Sequence, residues 1–318
     1  MRFHLHLIIL AFAFSATSCA NRLDTQKELL VGTKATPLTT PRNNDVQITY
    51  LGTNGYLIRS SDTSIVIDPF FSRISLAKVI FNTPYSPSAS LIAKYTQAAQ
   101  FPSRIDAWLI THSHFDHLID VPPLQQQFGG KIITSTTGKF LCLAAADDIP
   151  AQDIIASQAG NSYTIGNARI HVLPSIHDRV LGDIPIAGQI SKPLTSEPTR
   201  PRDWKVGKTL AFLIEISGKK IYIDCGGLSG HPPQAHDVDL AILGAAVGDG
   251  QRRFAEAVRT LNPRYILPSH QDNFFTPLKR GFRFSFTSNF PQLKKNYLNE
   301  QLPGELILMD YFHSWMLN

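Results

Sequence analysis

The sequence predicts one mixed α/β domain that begins near residue 46. Apolar or alternating segments follow one another at short intervals with turn residues between them, which is typical of paired strands, and helical segments interrupt them. The composition agrees, because 43% hydrophobic and 17% charged residues are ordinary for a soluble globular protein. At 318 residues the chain is long enough to bury a sizeable core.

The elements of this domain can be read in chain order. Strands are predicted at VQITYL, YLIR, SIVID, residues 106–111, KIITS, SYTIG, ARIHVLP, TLAFLIEI, KKIYID, VDLAILG, RYILPS and ELILMD. Helices are predicted at LIAKYTQAAQ, residues 139–146 and QRRFAEAVRTL. The polar, proline-rich segment 178–208 is long for a connection inside a compact domain, and we interpret it as a lid or binding loop.

The N-terminal residues predict export. A short basic start precedes the apolar stretch LIILAFAFSA, which is too short to span a bilayer, and small residues then lead to Cys19. This arrangement is typical of a secretory signal over residues 1–18, and Ala-Thr-Ser before Cys19 resembles the lipobox of bacterial lipoproteins. We therefore expect a lipid anchor at Cys19 that holds the protein at the bacterial cell envelope, facing the periplasm or the exterior. A plain signal peptide is the alternative, because Ala16 stands where the pattern more often has leucine.

The next residues predict a tether. Residues 20–45 are polar, rich in Thr, Pro and Asn, and show no sustained periodicity, so we expect residues 19–45 to form the lipidated cysteine and a flexible linker. The domain would then occupy residues 46–318. No later stretch reaches the roughly 18 uninterrupted apolar residues that a membrane helix needs.

Ionisable residues are concentrated in the segment THSHFDHLID, which follows the predicted strand 106–111. His112 and His114 are two residues apart, so on an extended backbone both imidazoles point the same way and can reach one cation. Asp116 and His117 follow directly, and a tightening turn can present them to a second cation. Imidazole nitrogen and carboxylate oxygen are the ligands that zinc takes in catalytic sites, and manganese and iron accept them too.

Three further candidate ligands each follow a predicted strand. His177 follows ARIHVLP, Asp224 ends KKIYID, and His270 follows RYILP. His171 is a rival of His177, but it lies inside the strand and not at its end. Together with the four residues of the opening motif these make seven ligands, which is enough for two divalent metal ions with a bridging hydroxide.

In this order the motif and the three later ligands resemble the metallo-β-lactamase superfamily. The resemblance implies an αββα four-layer sandwich with a dinuclear metal site, most often zinc, along one edge of its two sheets. It implies that one metal is held by His112, His114 and His177, and the other by Asp116, His117 and His270, with Asp224 bridging. The segments GTNGYLI, VIDPFFSR and LAILGAA resemble the branch that contains N-acyl-phosphatidylethanolamine phospholipase D and ascorbate-phosphate lactonase.

The chain departs from that branch at two positions. Asp178 follows the third histidine where the branch tends to have tryptophan, and Cys225 follows Asp224 where threonine or serine is common. Because Cys225 should point away from Asp224 on an extended backbone, we expect it in the core and not among the ligands. With Cys142 it would make two separate buried thiols, although an exported compartment would permit one disulfide.

The expected function is a metallo-hydrolase of the cell envelope. A hydroxide between the metals would attack phosphorus or a carbonyl carbon, with Asp116 as the catalytic residue that accepts and passes on the proton. Asp68, at the end of an early strand, is a candidate to orient an imidazole. Asp272 could orient His270 or serve in a turn, and Asp120 is expected in a helix or turn.

The expected substrate is a phosphodiester or a phospholipid-like molecule. The alternatives are a lactone or other carboxylic ester, or no reaction at all in a lipoprotein that has become a binding module. Basic clusters lie at Lys279, Arg280 and Arg283 and at Lys294 and Lys295 within a net charge of +5. We interpret them as solvated surface, although they could favour an anionic substrate or membrane headgroups, and we expect no nucleic-acid partner.

Overall fold

The computed structural model describes residues 22–35, 41–42, 44–146, 148–179, 184–225, 236–245, 249–285 and 288–318. The predicted signal peptide and Cys19 lie outside these ranges. Within them, no helix is both long and apolar enough to cross a membrane.

The described residues form fifteen strands and seven α-helices. The strands, in chain order, are β1 Thr33–Lys34, β2 Val46–Gly52, β3 Gly55–Arg59, β4 Ser64–Ile67, β5 Ala107–Leu109, β6 Lys131–Thr134, β7 Ile154–Ala156, β8 Ser162–Ile165, β9 Ala168–Pro174, β10 Leu210–Ile216, β11 Lys219–Asp224, β12 Leu240–Gly244, β13 Tyr265–Ser269, β14 Glu305–Leu306 and β15 His313–Leu317. The helices are α1 Leu76–Ile80, α2 Ala89–Ala98, α3 Phe115–Leu118, α4 Val121–Phe128, α5 Thr136–Ala145, α6 Asp249–Leu261 and α7 Phe290–Asn299.

The strands make two sheets, each of which changes from antiparallel to parallel pairing. The first has the order β1-β15-β2-β3-β4-β5-β6-β7, and its pairs from β4 to β7 are parallel. The second has the order β14-β13-β12-β11-β10-β9-β8, and its pairs from β11 to β14 are parallel. Parallel strands end at the same edge of a sheet, so the residues that follow β4, β5, β11 and β13 are delivered to shared edges.

Two apolar cores account for the layers. Alternate residues of β5 face opposite sides: Leu109 belongs to the core shared with the second sheet, whereas Trp108 belongs to the core under the helices α2 to α5. Phe254 of α6 and Phe290 of α7 join the core of the second sheet. Helices therefore flank both sheets, and the predicted αββα sandwich is confirmed.

The structure differs from the prediction at the C-terminal strand. Only Glu305–Leu306 of the segment ELILMD pairs as a strand, with Tyr265 and Ile266 of β13. The backbone beyond it turns to the N-terminal segment instead, because Leu308 N donates to Leu29 O at 2.8 Å. The predicted strands otherwise appear within a residue or two, whereas β1, β7, β15, α1, α3, α4 and α7 had not been predicted.

The described part of the predicted tether is packed on the domain. Leu23 is buried at the start of a 3₁₀ helix, Leu23–Leu29, and Thr33–Lys34 pair with Ser314 and His313 of β15. Residues 22–35 thus lie against the domain, and the division into a tether over residues 19–45 and a domain over residues 46–318 stays a prediction. A few apolar contacts and backbone hydrogen bonds hold the segment on the domain. The polar composition of the segment gives no sequence signal that predicts them.

A buried ion pair joins the connections that follow β4 and β13. Arg73 Nη2 lies 2.8 Å from Asp272 Oδ2, with both side chains almost inaccessible. Asp272 also accepts hydrogen bonds from Thr53 N at 2.9 Å and from the Tyr311 hydroxyl at 2.6 Å. Burial opposes ionisation of Asp272, but Arg73 outweighs it, so the pKa of this carboxyl lies below its usual value. Gly52 leaves room for the guanidinium, since a Cβ there would meet Arg73 Nη2 at 2.3 Å.

We predict that Asp272→Asn destabilises the fold by about 3–5 kcal/mol at neutral pH, because it leaves the Arg73 charge buried and unpaired. The control is Glu300→Gln, which removes the carboxylate from the exposed pair with Arg259 and should cost less than about 1 kcal/mol. Urea unfolding followed by circular dichroism measures both. Since the pKa of Asp272 is depressed on folding, its contribution is complete above the unfolded pKa of about 3.9 and declines only at lower pH. Equal losses in the two variants would contradict the prediction.

Candidate metal centre

Strand ends from both sheets bring the predicted ligands together. The segment after β5 carries His112 and His114, and the one-turn helix α3 carries Asp116 and His117. His177 follows β9, which runs in the same direction as β11, because both pair antiparallel with β10. All the described ligands thereby reach one edge of the sandwich.

The first group of ligands is His112, His114 and His177. Their donor nitrogens lie within 4.8 Å of one another, and His112 Nε2 is 3.0 Å from His114 Nδ1. Burial, reinforced by the neighbouring histidines, lowers the pKa of His112 well below its usual value and that of His114 to about 3. Burial likewise lowers the pKa of His177 to about 4. These imidazoles are therefore neutral at physiological pH, which leaves lone pairs for a cation.

The second group is Asp116, His117 and His270. Asp116 Oδ2 lies 3.3 Å from His117 Nε2 and 3.1 Å from His270 Nε2. Burial opposes ionisation of Asp116, but the two histidines outweigh it and hold its pKa well below the usual value. Burial also opposes protonation of His117, and here Cys225 and the carboxylates of Asp116 and Asp68 outweigh it and raise the pKa.

Two of the histidines, His117 and His177, have a hydrogen-bond partner at the ring nitrogen that faces away from the cluster. His117 Nδ1 lies 2.8 Å from Asp68 Oδ2, which is the contact expected of a carboxylate that orients this imidazole. His177 Nδ1 donates to the carbonyl of Asp178 at 2.7 Å. These bonds fix each ring with its Nε2 toward the cluster, which is the arrangement that metal-ligating histidines show in proteins. The donor set therefore fits divalent metal ions.

The end of β11 differs from the prediction. Asp224 is buried, but its carboxylate accepts hydrogen bonds from Ser175 Oγ at 2.5 Å and from the Tyr222 hydroxyl at 3.1 Å. Among the described residues, Asp224 is in none of the groups of side chains whose donor atoms lie within 4.8 Å of one another and could hold a metal ion. Cys225 is in such a group, together with His112 and His117, and its Sγ lies 3.9 Å from His117 Nε2. Alternation along the strand was anticipated correctly, but the face that turns to the histidines is that of Cys225.

Cys225 is therefore the functional candidate that sequence reasoning missed. Burial raises the pKa of its thiol to about 12, and His117 opposes that shift. Cys142 is also a free, buried thiol, in α5, so the expectation of two separate thiols is confirmed. The sequence holds one indication that Asp224 has another partner. Tyr222 lies two residues before it, on the same face of the strand, so the tyrosine hydroxyl can donate to the Asp224 carboxylate.

The other acidic and histidine candidates lie elsewhere. His171 Nδ1 is 3.0 Å from Ser162 Oγ, on the edge of the second sheet, so it is not part of the cluster. Asp178 pairs with Arg253 of α6. Asp120 accepts hydrogen bonds from the backbone N–H groups of residues 71 and 72, at 2.6 and 2.7 Å, and so anchors the connection after β4.

The described part of the segment 178–208 packs beside the first group of histidines. Ser113 N, between His112 and His114, donates to Val206 O at 3.0 Å. Trp204 is buried in the core under the helices of the first sheet. Gly207 has a φ of +67°, and a Cβ there would lie 2.8 Å from Ser135 Oγ. Residues 204–207 thus pack against the segment that carries His112 and His114 and against the start of α5.

Comparison with known proteins identifies the family. A model of the β-lactamase superfamily domain matches residues 47–270. The chain belongs to the metallo-β-lactamase superfamily. A UPF0173 metal-dependent hydrolase of Myxococcus xanthus is 25% identical over 292 residues, which is 89% of each chain. Another from Pyrobaculum calidifontis is 24% identical over 266 residues, covering 82% of this chain and 99% of that one.

Solved structures support the fold of this metallo-β-lactamase superfamily member. Igni18, a metallo hydrolase from Ignicoccus hospitalis, is similar with a TM-score of 0.56 and 17% identity, covering 86% of this chain and 98% of that one. The metallo-β-lactamase fold protein YhfI from Bacillus subtilis gives 0.53 and 16%, covering 85% and 99%. The predicted class, a hydrolase of this fold, is confirmed. The finer resemblance to the phospholipase D and lactonase branch stays a prediction.

We predict that Asp68→Asn weakens metal binding by about 10–100-fold, because an amide orients and polarises His117 less well than a carboxylate. Asparagine tolerates the left-handed backbone at this position, where φ is 38°, so the variant adds no backbone strain. Competition with a chromophoric chelator measures the affinity. Asp120→Asn is the matched control, a buried carboxylate in the same half with no histidine partner, and equal weakening in both variants would contradict the role of Asp68.

We also predict a stability difference that depends on pH at Asp120. Burial raises the pKa of this carboxyl to about 6, above its unfolded value of about 3.9. Its stabilising contribution is then complete below pH 4 and is lost as the pH rises through 6. Relative to the wild type, Asp120→Asn should gain about 1–3 kcal/mol of stability between pH 4 and pH 7. Urea unfolding of metal-free protein across this range tests the sign, and a constant difference would refute it.

Proposed function

We propose that the protein is a metal-dependent hydrolase of the cell envelope that cleaves a phosphodiester or phospholipid-like substrate. The proposal rests on the first and second groups of metal ligands, which lie next to each other. His112 of the first group and His117 of the second have ring centroids only 3.9 Å apart. Two cations held by these groups would be neighbours, as in two-metal hydrolases.

When bound, the metals would supply a hydroxide nucleophile at neutral pH and polarise the oxygen of the scissile group. Asp116 is held in place by His117 and His270, and its depressed pKa keeps it ionised. It is therefore available to accept a proton at Oδ2 and pass it on. His117 is itself fixed by Asp68, so the geometry of the proton acceptor depends on a contact outside the ligand groups.

Residues near the ligands support a substrate that is partly apolar and partly anionic. The ring of Phe274 packs edge-on against His270, with centroids 4.7 Å apart, and Phe275 lies against Phe274. Ile176, directly before His177, is 45% exposed. The exposed Lys279 and the neighbouring basic cluster follow in the same connection. Apolar side chains next to His270, with basic residues further along the same connection, suit a phospholipid, which carries acyl chains and a phosphate.

Membrane proximity is part of the proposal. A lipid at Cys19 would keep the enzyme at the envelope surface, where such substrates are concentrated. Metabolic labelling with a fatty acid, compared between the full chain and Cys19→Ser, tests this independently of activity. Absence of label in both proteins would remove the anchor and leave the hydrolase proposal standing.

We predict that the purified, metal-replete protein hydrolyses bis(p-nitrophenyl) phosphate or phospholipid vesicles and that a chelator abolishes this activity. His114→Ala should lower kcat/KM by about 100-fold or more, because losing a ligand should exceed the loss of an orienting partner. His171→Ala, inside β9 and bonded to Ser162 of the edge strand β8, is the matched control and should retain activity.

The same assay separates the alternatives. Turnover of lactones or carboxylic esters without turnover of phosphodiesters would overturn the substrate class while keeping the hydrolase. A metal-replete protein inert toward all three classes would indicate a binding module.

A further inference from the structure

We propose that the thiolate of Cys225, and not the carboxylate of Asp224, is the metal ligand that the end of β11 supplies, and that it lies between the two ligand groups. The inference rests on the metal-dependent function proposed above and specifies its centre. It gives the site a soft sulfur donor in addition to imidazole and carboxylate.

The position of the Cys225 sulfur supports its assignment as a ligand. The donor atoms of His112, His117 and Cys225 all lie within 4.8 Å of one another. Since His112 belongs to the first group and His117 to the second, a sulfur close to both stands where the groups meet. Zinc binds sulfur at about 2.3 Å and imidazole nitrogen at about 2.0–2.1 Å, so two such ligands of one tetrahedral ion stand about 3.5–4 Å apart. The distance of 3.9 Å between Cys225 Sγ and His117 Nε2 fits this geometry.

Both carboxylate oxygens of Asp224 accept hydrogen bonds from other side chains. Tyr222 and Asp224 lie on the same face of β11, and the tyrosine hydroxyl donates to the carboxylate. Ser175 donates to the other carboxylate oxygen, and this serine stands two residues before His177. Asp224 is therefore a positioning residue that ties the end of β11 to the segment carrying His177.

The backbone of Cys225 lies very close to the neighbouring strand β12. β12 pairs parallel with β11, and at its end a Cβ on Gly244 would lie 2.1 Å from the carbonyl oxygen of Cys225. Only glycine permits this approach, which presses the backbone of residue 225 against the neighbouring strand. The backbone of Cys225 is thus fixed against the neighbouring strand, and its Sγ lies on the side of the histidines.

A thiolate at this position has a chemical consequence. Sulfur donors favour zinc, whereas sites of carboxylate and water favour manganese and magnesium. The centre should therefore select zinc or cobalt over manganese more strongly than a site of histidine and aspartate alone.

Cobalt substitution of the full, folded protein tests the ligand directly. A thiolate bound to Co²⁺ gives a charge-transfer absorption in the near ultraviolet that imidazole and carboxylate ligands lack. We expect this band in the wild type, in Asp224→Asn and in Cys142→Ser, the matched control for a buried thiol. It should be absent in Cys225→Ser and in Cys225→Asp, with cobalt affinity in Cys225→Ser lowered by about tenfold or more.

A second measurement needs no variant. The wild-type protein is treated with iodoacetamide with and without zinc, and the modified peptides are identified by mass spectrometry. Zinc should slow alkylation of Cys225 by about tenfold or more and leave Cys142 unchanged, because only a free thiolate reacts.

The outcomes separate this inference from the proposed function. Cobalt bound without the band in the wild type, a band that survives in Cys225→Ser, or equal zinc effects on both cysteines would overturn the thiolate ligand while leaving a metallo-hydrolase. A protein that takes up no cobalt or zinc would overturn the metal centre and this inference together. Failure to cleave phosphodiesters would affect neither readout.

Discussion

The carboxylate of Asp68 is the contact on which the polar edge of this sandwich depends. It accepts hydrogen bonds from Asn54 Nδ2 at 2.7 Å, from Thr111 N at 2.8 Å and from the Thr111 hydroxyl, besides its contact with His117. One buried group at the end of β4 therefore fixes the loop before β3, the start of the ligand segment after β5, and a ring of the second ligand group. Asn54 in turn accepts from Ser269 Oγ at 2.6 Å, which extends the network to β13 of the other sheet.

Charge is distributed unevenly between the two ligand groups. The first consists of three imidazoles that burial keeps neutral, whereas the second holds the ionised Asp116 and is bordered by Asp68 and Cys225. A dication entering the second group meets the carboxylate of Asp116 and has to displace the proton that the raised pKa of His117 retains. One entering the first group meets only neutral imidazoles. The two positions should therefore differ in affinity, and the second should also set the charge that a substrate encounters.

Sequence patterns anticipated most of this arrangement because ligands that follow strands are brought together by the sheet itself. His112, His114, His177 and His270 were assigned from their places after apolar strands, and the structure places them at one edge. The choice between Asp224 and Cys225 was different. Alternation says that neighbouring side chains point to opposite faces, but it does not say which face meets the site, and that depends on the register and twist of β11 against β10 and β12.

The missed elements have a related cause. The one-turn helix α3 has no periodicity to detect, and its polar side chains resemble a loop. Residues 22–35 pack through Leu23, Leu29 and Val31 and through edge pairing with β15, contacts that exist only once the domain has formed. Both segments are specified by tertiary context and not by local pattern.

Backbone conformation links the stability of the fold to its chemistry. Thr53 and His270 both have left-handed φ values, 57° and 55°, which are uncommon for residues with these side chains. Thr53 O accepts from His270 N, and Thr53 N donates to Asp272, whose charge is balanced by the buried Arg73. The ion pair thus holds the strained turn that aims His270 at Asp116. Strain of this kind persists only where surrounding contacts enforce it, so the same pair that stabilises the fold also positions a ligand of the second group.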